Sequence, residues 1–309
     1  MLPVVLATLA VATGTAAQAT PWPSFGNWTE KAGGYEYILS GPAKLGTKVA
    51  FELDRCHYVW NLINERTYCT DNPPPATAEA CMDALYERKK AVGDQGFLDM
   101  FAQDIAAAER FWLSVNEDSD LADPKAWKAV EARAVVALPN VTAWTFSAWS
   151  SSPRADAANN RGNAEHYFKH SDFSTGSGVS RILEGWGGTV TNFSIPNYSP
   201  ATCFERPMVR PLPEFLIKAC GDKNLNDGRD TNFGVLNIAA RDVAGAAFGR
   251  PETARGVDIY ASIWYGGAIS EEHLEAERQH VIIEIVNMSL RAQRDIESGA
   301  FVVPAPPSA

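Results

Sequence analysis

Residues 257–299 read VDIYASIWYGGAISEEHLEAERQHVIIEIVNMSLRAQRDIESG and join a predicted strand to a long predicted helix. The segment Val257–Tyr265 has the residue pattern of a strand. Ser270 can cap the helix at its N-terminus, and Gly299 can end it at the other terminus. Apolar residues recur along one face of the helix, so we expect that face to pack against the rest of the fold.

Strand-like segments precede this stretch, and turn-rich sequence at 151–163, 174–178 and 221–230 separates them. Their apolar residues alternate with polar ones or form short apolar runs, which is typical of strands. These segments are Val135–Ser150, Glu165–His170, Ile182–Phe193, Phe215–Cys220 and Phe233–Arg241.

The N-terminal part of the chain predicts a hairpin followed by helices. Alternating apolar residues at 35–39 and 49–53 flank a Gly/Pro turn and favour two paired strands. Helical spacing follows at 78–92 and 97–115, and Asp123-Pro124 is suited to begin a short helix.

Helices first, then strands, then a closing helix indicate an α+β fold. We expect a mostly antiparallel, curved or barrel-like sheet with an N-terminal helical block and a long C-terminal helix. A curved sheet wrapped on that helix would enclose a cavity lined by aromatic residues.

The chain begins with the features of a secretory signal peptide at residues 1–19, which include a short apolar run and the small-x-small site Ala17-Gln18-Ala19. Residues 20–299 then form one α+β domain, and the proline-rich residues 300–309 form a flexible tail. Asn-x-Ser/Thr sequons agree with entry into the secretory pathway, and the glycosylation sites expected from them are Asn27, Asn140 and Asn192. We therefore expect a protein that is secreted or resides in the secretory lumen.

The composition excludes some partners. No apolar stretch of the mature chain is long enough for a membrane span. The net charge of −10 disfavours nucleic acid, which demands basic patches. The remaining expectation is a small apolar molecule as partner, while the oligomeric state stays open.

Five cysteines in an oxidising compartment predict two disulfides and one free thiol. We expect a Cys203–Cys220 pair and a second pair from Cys56, Cys69 and Cys81, although fifteen arrangements are possible. No CxxC or Cys/His ligand spacing is present, so a structural zinc site is not expected.

The usual catalytic signatures are absent from the sequence, which contains no GxSxG, GxGxxG, Walker or HExxH motif. The sequence therefore predicts neither a cofactor nor a metal. An acidic stretch that begins at Asp222 resembles the start of a calcium loop, but Phe233 stands where such a loop needs glutamate, and a hairpin turn explains the same residues. His273 and His280 are ~10 Å apart along a helix, too far to share a metal, and we interpret them as part of a solvated charged face.

The segment Glu165–His170 carries the predicted catalytic residues His166, Tyr167 and His170. A regular strand places the two histidines on one face and Tyr167 on the other, so only one of these sets can point into a cavity. Such a residue could donate a hydrogen bond or transfer a proton. The alternative interpretation is a cluster of ordinary surface polar residues. The predicted substrate-binding residues are Trp144, Trp186, Trp264 and Tyr265.

A signal peptide, several sequons, a tryptophan-rich α+β body and no standard motif together resemble the secreted fungal hetero-Diels–Alderases that join tropolone and terpene units. This resemblance implies a cofactor-independent pericyclic cyclase that acts on apolar or aromatic natural-product intermediates in an aromatic-lined cavity. The alternative is a secreted carrier or effector that binds an apolar ligand without catalysis. A hydrolase that uses carboxylates ranks last, because no acid pair stands out in the sequence.

Overall fold

The structure is a computed structural model, and the residues that it describes are 27–42, 45–69, 72–172, 179–251 and 254–306. The predicted signal peptide lies outside them, as do the last three residues of the predicted tail. Among the described residues, no helix has both the length and the apolar character that a membrane crossing requires.

One antiparallel sheet dominates the fold. Its strands are β1 (Asn27–Ala32), β2 (Tyr35–Ser40), β3 (Trp127–Val136), β4 (His166–Ser171), β5 (Ser180–Trp186), β6 (Thr189–Ile195), β7 (Ile217–Leu225), β8 (Asn232–Ala244) and β9 (Arg255–Gly266). Their spatial order is β1-β2-β3-β9-β8-β7-β6-β5-β4. Within the described residues β1 and β4 do not pair with each other, so the sheet is open and does not form the barrel that was one of the two expected shapes.

Helices cover the sheet as the sequence predicts. They are α1 (Lys48–Thr67), α2 (Ala78–Met100), α3 (Ala102–Val115), α4 (Ala143–Ser150), α5 (Pro153–Gly162), α6 (Pro200–Phe204) and α7 (Glu271–Glu297). The first three form the N-terminal helical block, and α7 is the long C-terminal helix, with the Ser270 side chain accepting a hydrogen bond from the His273 amide. The predicted α+β class is confirmed.

Alternation along β9 gives the sheet two distinct faces. Ile259, Ala261 and Ile263 belong to the main hydrophobic core, and we call the face that carries them the inner face. Their neighbours Tyr260 and Trp264 point to the opposite, outer face, where they pack in separate small clusters. Helix α7 packs on the inner face and contributes to the same main core.

The predicted N-terminal hairpin is wrong in its second arm. Strand β2 pairs with β1 and β3, while residues 49–53 lie in α1. Thr47 caps that helix by accepting from the Ala50 amide. A window of five residues fits both periods, and the cap together with the helical residues that follow decides for the helix.

Four other segments also differ from the sequence prediction. Residues 124–126 form a single 3-10 turn before β3, while Val135–Ser150 divides into the end of β3 and α4. Residues 153–162 form α5 instead of a loop. Ile182–Phe193 is a hairpin, because Gly187 and Gly188 both have positive φ angles (57° and 79°), as a two-residue turn of this kind requires.

Both predicted disulfides are formed. Cys203 pairs with Cys220 at a Cα–Cα distance of 5.0 Å, and Cys56 pairs with Cys81 at 6.2 Å. The first pair links α6 to β7, and the second links α1 to α2. Cys69 is the free cysteine and is exposed.

Candidate functional site

A cavity of about 290 Å³ lies between the inner face of the sheet and α7. Most of its wall is apolar, which suits an apolar ligand. The apolar lining residues are Phe146, Ile182, Phe193, Ile195, Leu236, Ile238, Ile259, Ala261, Ile263, Val281, Ile285 and Met288.

Part of the cavity wall reaches the protein surface. Ser151 and Tyr198 line the cavity and are exposed, and we call this region the mouth. Ser150 and Ser171 line the same cavity and are partly buried.

Buried ionisable side chains from both the sheet and α7 line the cavity as well. His166, Glu184 and His280 each present a ligand-type atom within 4.8 Å of the others. His166 Nε2 lies 3.2 Å from His280 Nε2 and 3.3 Å from Glu184 Oε2, while His280 Nε2 lies 3.3 Å from Glu284 Oε2. We call His166, Glu184, His280 and Glu284 the histidine–carboxylate cluster.

A β-bulge brings His166 into the cavity. The pairing of β4 with β5 shifts register between His166 and Phe168, so the strict alternation of the strand is broken there. His166 therefore points inward, both Tyr167 and Phe168 pack on the helices behind the strand, and Lys169 lines the cavity again.

The backbone at His166 is held by a buried lysine of α2. Lys89 Nζ donates to the carbonyl oxygens of Asn163 and His166 at 2.7 Å each, and to that of Asn160 at 3.0 Å. Three carbonyls match the three N–H groups of an ammonium. This lysine fixes the turn from α5 into β4, and with it the start of the strand that carries His166.

A chain of polar contacts extends the cluster along the cavity wall. Lys223 Nζ lies 3.1 Å from Glu184 Oε1 and donates to the Tyr265 hydroxyl at 3.0 Å. The Tyr265 hydroxyl donates in turn to Glu277 Oε1 at 3.0 Å. The ammonium therefore occupies one oxygen of Glu184 and leaves Oε2 facing His166.

Burial and neighbouring charges shift these groups in opposite directions. Burial lowers the pKa of His280 to about 4. Burial alone would raise the pKa of Glu284, but the hydrogen bond with His280 and the charge of His166 bring it to about 2. Burial likewise opposes ionisation of Glu184, yet Lys223 and His166 hold its pKa below the usual range. Burial raises the pKa of Glu277 to about 7, because Lys223 offsets only part of the desolvation.

Packing fixes the ring of His280. The Trp186 ring lies 3.6 Å from it between centroids, nearly parallel, at the end of β5. Gly187 follows in the hairpin turn, where a Cβ atom would come within 2.5 Å of His273 Nδ1. The predicted solvated face of α7 is therefore wrong: His273, Glu277 and His280 are all buried.

The three predicted catalytic residues lie in three different environments. His166 lines the cavity. Tyr167 is buried on the other side of the strand, where its ring packs on Phe97 and Phe101 of the α2–α3 region. His170 is exposed, and its Nε2 lies 2.9 Å from Asp94 of α2. The predicted pairing of His166 with His170 on one face fails because of the bulge.

The predicted aromatic substrate-binding residues do not form the cavity wall. Trp144 is half-buried on α4, and its Nε1 donates to the carbonyl of Pro304. Trp264 lies on the outer face, because it follows the cavity-lining Ile263 in a strand. Trp186 and Tyr265 stand behind the cavity and contact His280 and Glu277, which do line it.

The predicted glycosylation sites differ in their exposure. Asn140 is exposed, and Asn192 is half-buried in β6, where its side-chain oxygen accepts from Asn226. Asn27 begins β1, and its side chain lies outside the described residues. Use of these sites stays a prediction.

Sequence reasoning missed Glu184, Lys223 and Glu284. The sequence did contain a hint of two of them. Glu184 follows Ile182 by two residues, so in a strand both side chains lie on the same, apolar face, and Glu284 interrupts the apolar run VIIEIV of a helix. A charge within an apolar face has to find a buried partner. Lys223 gave no such signal, because its segment resembled a turn.

Comparisons with family models and with curated proteins identify no relative of this chain. No protein-family model matches the chain, and no curated protein matches it either.

Proposed function

We propose that this protein is an enzyme that binds an apolar small molecule in the inner cavity and acts on one polar group of that molecule. The observation that carries the proposal is the cavity of about 290 Å³, which combines mostly apolar walls with the buried histidine–carboxylate cluster. Apolar walls supply affinity, and a few fixed polar groups orient a ligand. Burying two histidines and the Glu184 carboxylate costs free energy, and such costs are typical of catalytic sites.

The reaction that we propose is a cyclisation of the pericyclase kind, including hetero-Diels–Alder closure. In such chemistry an enclosed wall holds a flexible apolar substrate in a reactive shape, which removes much of the entropic barrier. A polar group placed at the substrate oxygen stabilises the charge that develops there. His166 and His280 are the residues to which we assign that contact, because both line the cavity.

A carrier that binds an apolar ligand without turnover would use the same walls. The cluster favours the enzyme, since a carrier of apolar ligands gains nothing from buried histidines and carboxylates next to its ligand. Binding without any product would support the carrier.

The secretory origin belongs to the same proposal. We propose that residues 1–19 are removed and that sequons such as Asn140 carry glycans. Two disulfides support an oxidising compartment. Protein secreted from a eukaryotic host should begin near Thr20 and lose mass with a glycosidase; an intact Met1 without glycan would contradict this.

The test of the enzymatic proposal compares two histidines of one strand. Purified protein is incubated with polyketide and terpenoid intermediates, and the products are followed by mass spectrometry. His166→Phe should lower turnover by roughly tenfold to a thousandfold, as for the loss of one oriented catalytic group. His170→Phe, at an exposed position outside the cavity, should leave turnover unchanged.

Occupancy of the cavity is tested separately. Ala261→Phe adds a side chain to the cavity wall and should abolish quenching of tryptophan fluorescence by the same intermediates. Unchanged ligand binding in this variant, or unchanged turnover in His166→Phe, would show that the site assignment is wrong.

A further inference from the structure

The contacts within the histidine–carboxylate cluster do not suit neutral imidazoles. His166 Nε2 faces both His280 Nε2 and Glu184 Oε2, and His280 Nε2 also faces Glu284 Oε2. If both Nε2 atoms carry a proton, the two N–H groups oppose each other. If one does not, its lone pair faces a second lone pair on a carboxylate. While both carboxylates are ionised, each proton arrangement of the two imidazoles leaves at least one of the three contacts repulsive.

A cation bound between His166, Glu184 and His280 removes the repulsion between their facing atoms. Tetrahedral zinc has metal–nitrogen and metal–oxygen distances of about 2.0–2.1 Å, which place neighbouring ligand atoms about 3.3 Å apart. His166 Nε2 lies 3.2 Å from His280 Nε2 and 3.3 Å from Glu184 Oε2, and the ligand atoms of all three residues lie within 4.8 Å of one another. These three side chains are therefore close enough to share one metal ion.

We infer that His166 Nε2, Glu184 Oε2 and His280 Nε2 bind one divalent transition-metal cation, for which Zn²⁺ is the best match. Two imidazoles and one carboxylate are a ligand set found in catalytic zinc sites. Lys223 holds the other oxygen of Glu184 and so fixes the orientation of the carboxylate. This inference departs from the sequence prediction of a site without metal, because the ligands come from β4, β5 and α7.

The ion would lie at the edge of the cavity, since all three ligands line it. A metal in that place would supply a Lewis acid for a substrate oxygen, so the contact that the proposed function assigns to His166 and His280 would be made through the ion that they hold. Only this catalytic role rests on the proposed function; binding of the metal is a property of the chain and can be measured without a substrate.

The affinity has a structural limit. Metal-bound histidines usually donate their second N–H to an acceptor. Neither His166 Nδ1 nor His280 Nδ1 has a hydrogen-bond partner among the described residues. Because the loss of such a partner weakens binding by about 10- to 100-fold, we expect micromolar to submicromolar dissociation constants in place of the tighter values of structural zinc sites.

The experiment is a calorimetric titration of the chelator-stripped full chain with Zn²⁺. The wild type should bind one equivalent, whereas the double variant His166→Gln/His280→Gln should bind at least about a hundredfold more weakly at this site. His170→Gln is the matched control on β4 and should bind as the wild type does. Near-UV circular dichroism checks that each variant is folded.

A second measurement needs no variant. Zn²⁺ should raise the melting temperature of the stripped wild type, and Mg²⁺ at equal concentration should not, because imidazole ligands disfavour it. Absence of a Zn²⁺-dependent shift, or equal affinity in the wild type and the double variant, would overturn the metal site. Failure of the proposed function would instead appear as loss of ligand binding or turnover in protein that still binds Zn²⁺.

Discussion

Replacing Lys89 with methionine tests how the start of β4 is held in place. Lys89 is 4% exposed, and its Nζ is the donor to three backbone carbonyls. Methionine keeps most of the side-chain volume but removes every donor, so the carbonyls of Asn160, Asn163 and His166 lose this partner. The packing of the lysine stem is largely preserved, which isolates the hydrogen bonds.

The magnitude follows from these three contacts. A buried acceptor left without a donor costs about 1–3 kcal/mol. Burial lowers the pKa of Lys89 to about 7, which shows that the buried ammonium is itself costly, and methionine relieves that cost. The Asn163 carbonyl keeps the His166 amide as a donor, so at most two acceptors lose their donor. The lower part of the range therefore applies, and we expect Lys89→Met to reduce the free energy of unfolding by about 2–4 kcal/mol.

Urea denaturation followed by tryptophan fluorescence measures the effect. The matched control is Lys90→Met, since the neighbouring lysine has a half-exposed side chain that pairs with Glu87 and lies over the Tyr86 ring. That variant should change stability by less than about 0.5 kcal/mol. A loss below about 1 kcal/mol in Lys89→Met would refute the assignment of Lys89 as the residue that holds this turn.

Two further predictions concern stability. Burial raises the pKa of Glu277 from about 4.5 to about 7, so the folded protein keeps this carboxyl protonated at pH values where the unfolded chain ionises it. The free energy of unfolding should therefore fall by about 3 kcal/mol as pH rises from 4.5 through 7. Urea denaturation at pH 5 and at pH 8, with chelator present, should show that Glu277→Gln loses less free energy of unfolding between these two pH values than the wild type does. Equal losses in the two proteins would contradict the burial argument. The Cys203–Cys220 disulfide closes a loop of 17 residues, so its removal in Cys203→Ala/Cys220→Ala should lower the free energy of unfolding by about 3 kcal/mol. Cys69→Ser, at the free and exposed cysteine, should cause no measurable loss. Equal stabilities of the two variants would exclude this pairing.

The sequence determined those features whose cause is local. A cap at Ser270 and an apolar stripe specify α7 from within its own residues. The strands β8 and β9 follow from their own pattern and were placed within a few residues of their observed ends. Cys203 and Cys220 are only 17 residues apart, and this short separation predicts their pairing.

The pattern of apolar residues gave a wrong prediction where a short segment fits both the period of a strand and that of a helix. Residues 49–53 alternate and so resemble a strand, but they belong to a helix of 20 residues whose remaining turns pack on α2. A disulfide from Cys56 to Cys81 then fixes that packing. Such a contact is made by residues 25 positions apart, and no window of a few residues contains it.

Tertiary structure decided which side chains meet in the candidate site. His166 and His280 are 114 residues apart, and their ring nitrogens meet only because β4 and α7 border the same cavity. Spacing along α7 separates His273 from His280, but spacing within one helix says nothing about side chains that other elements bring near. The bulge at His166 also decided which histidine turns inward, since a single extra residue reverses the alternation on which the sequence prediction relied.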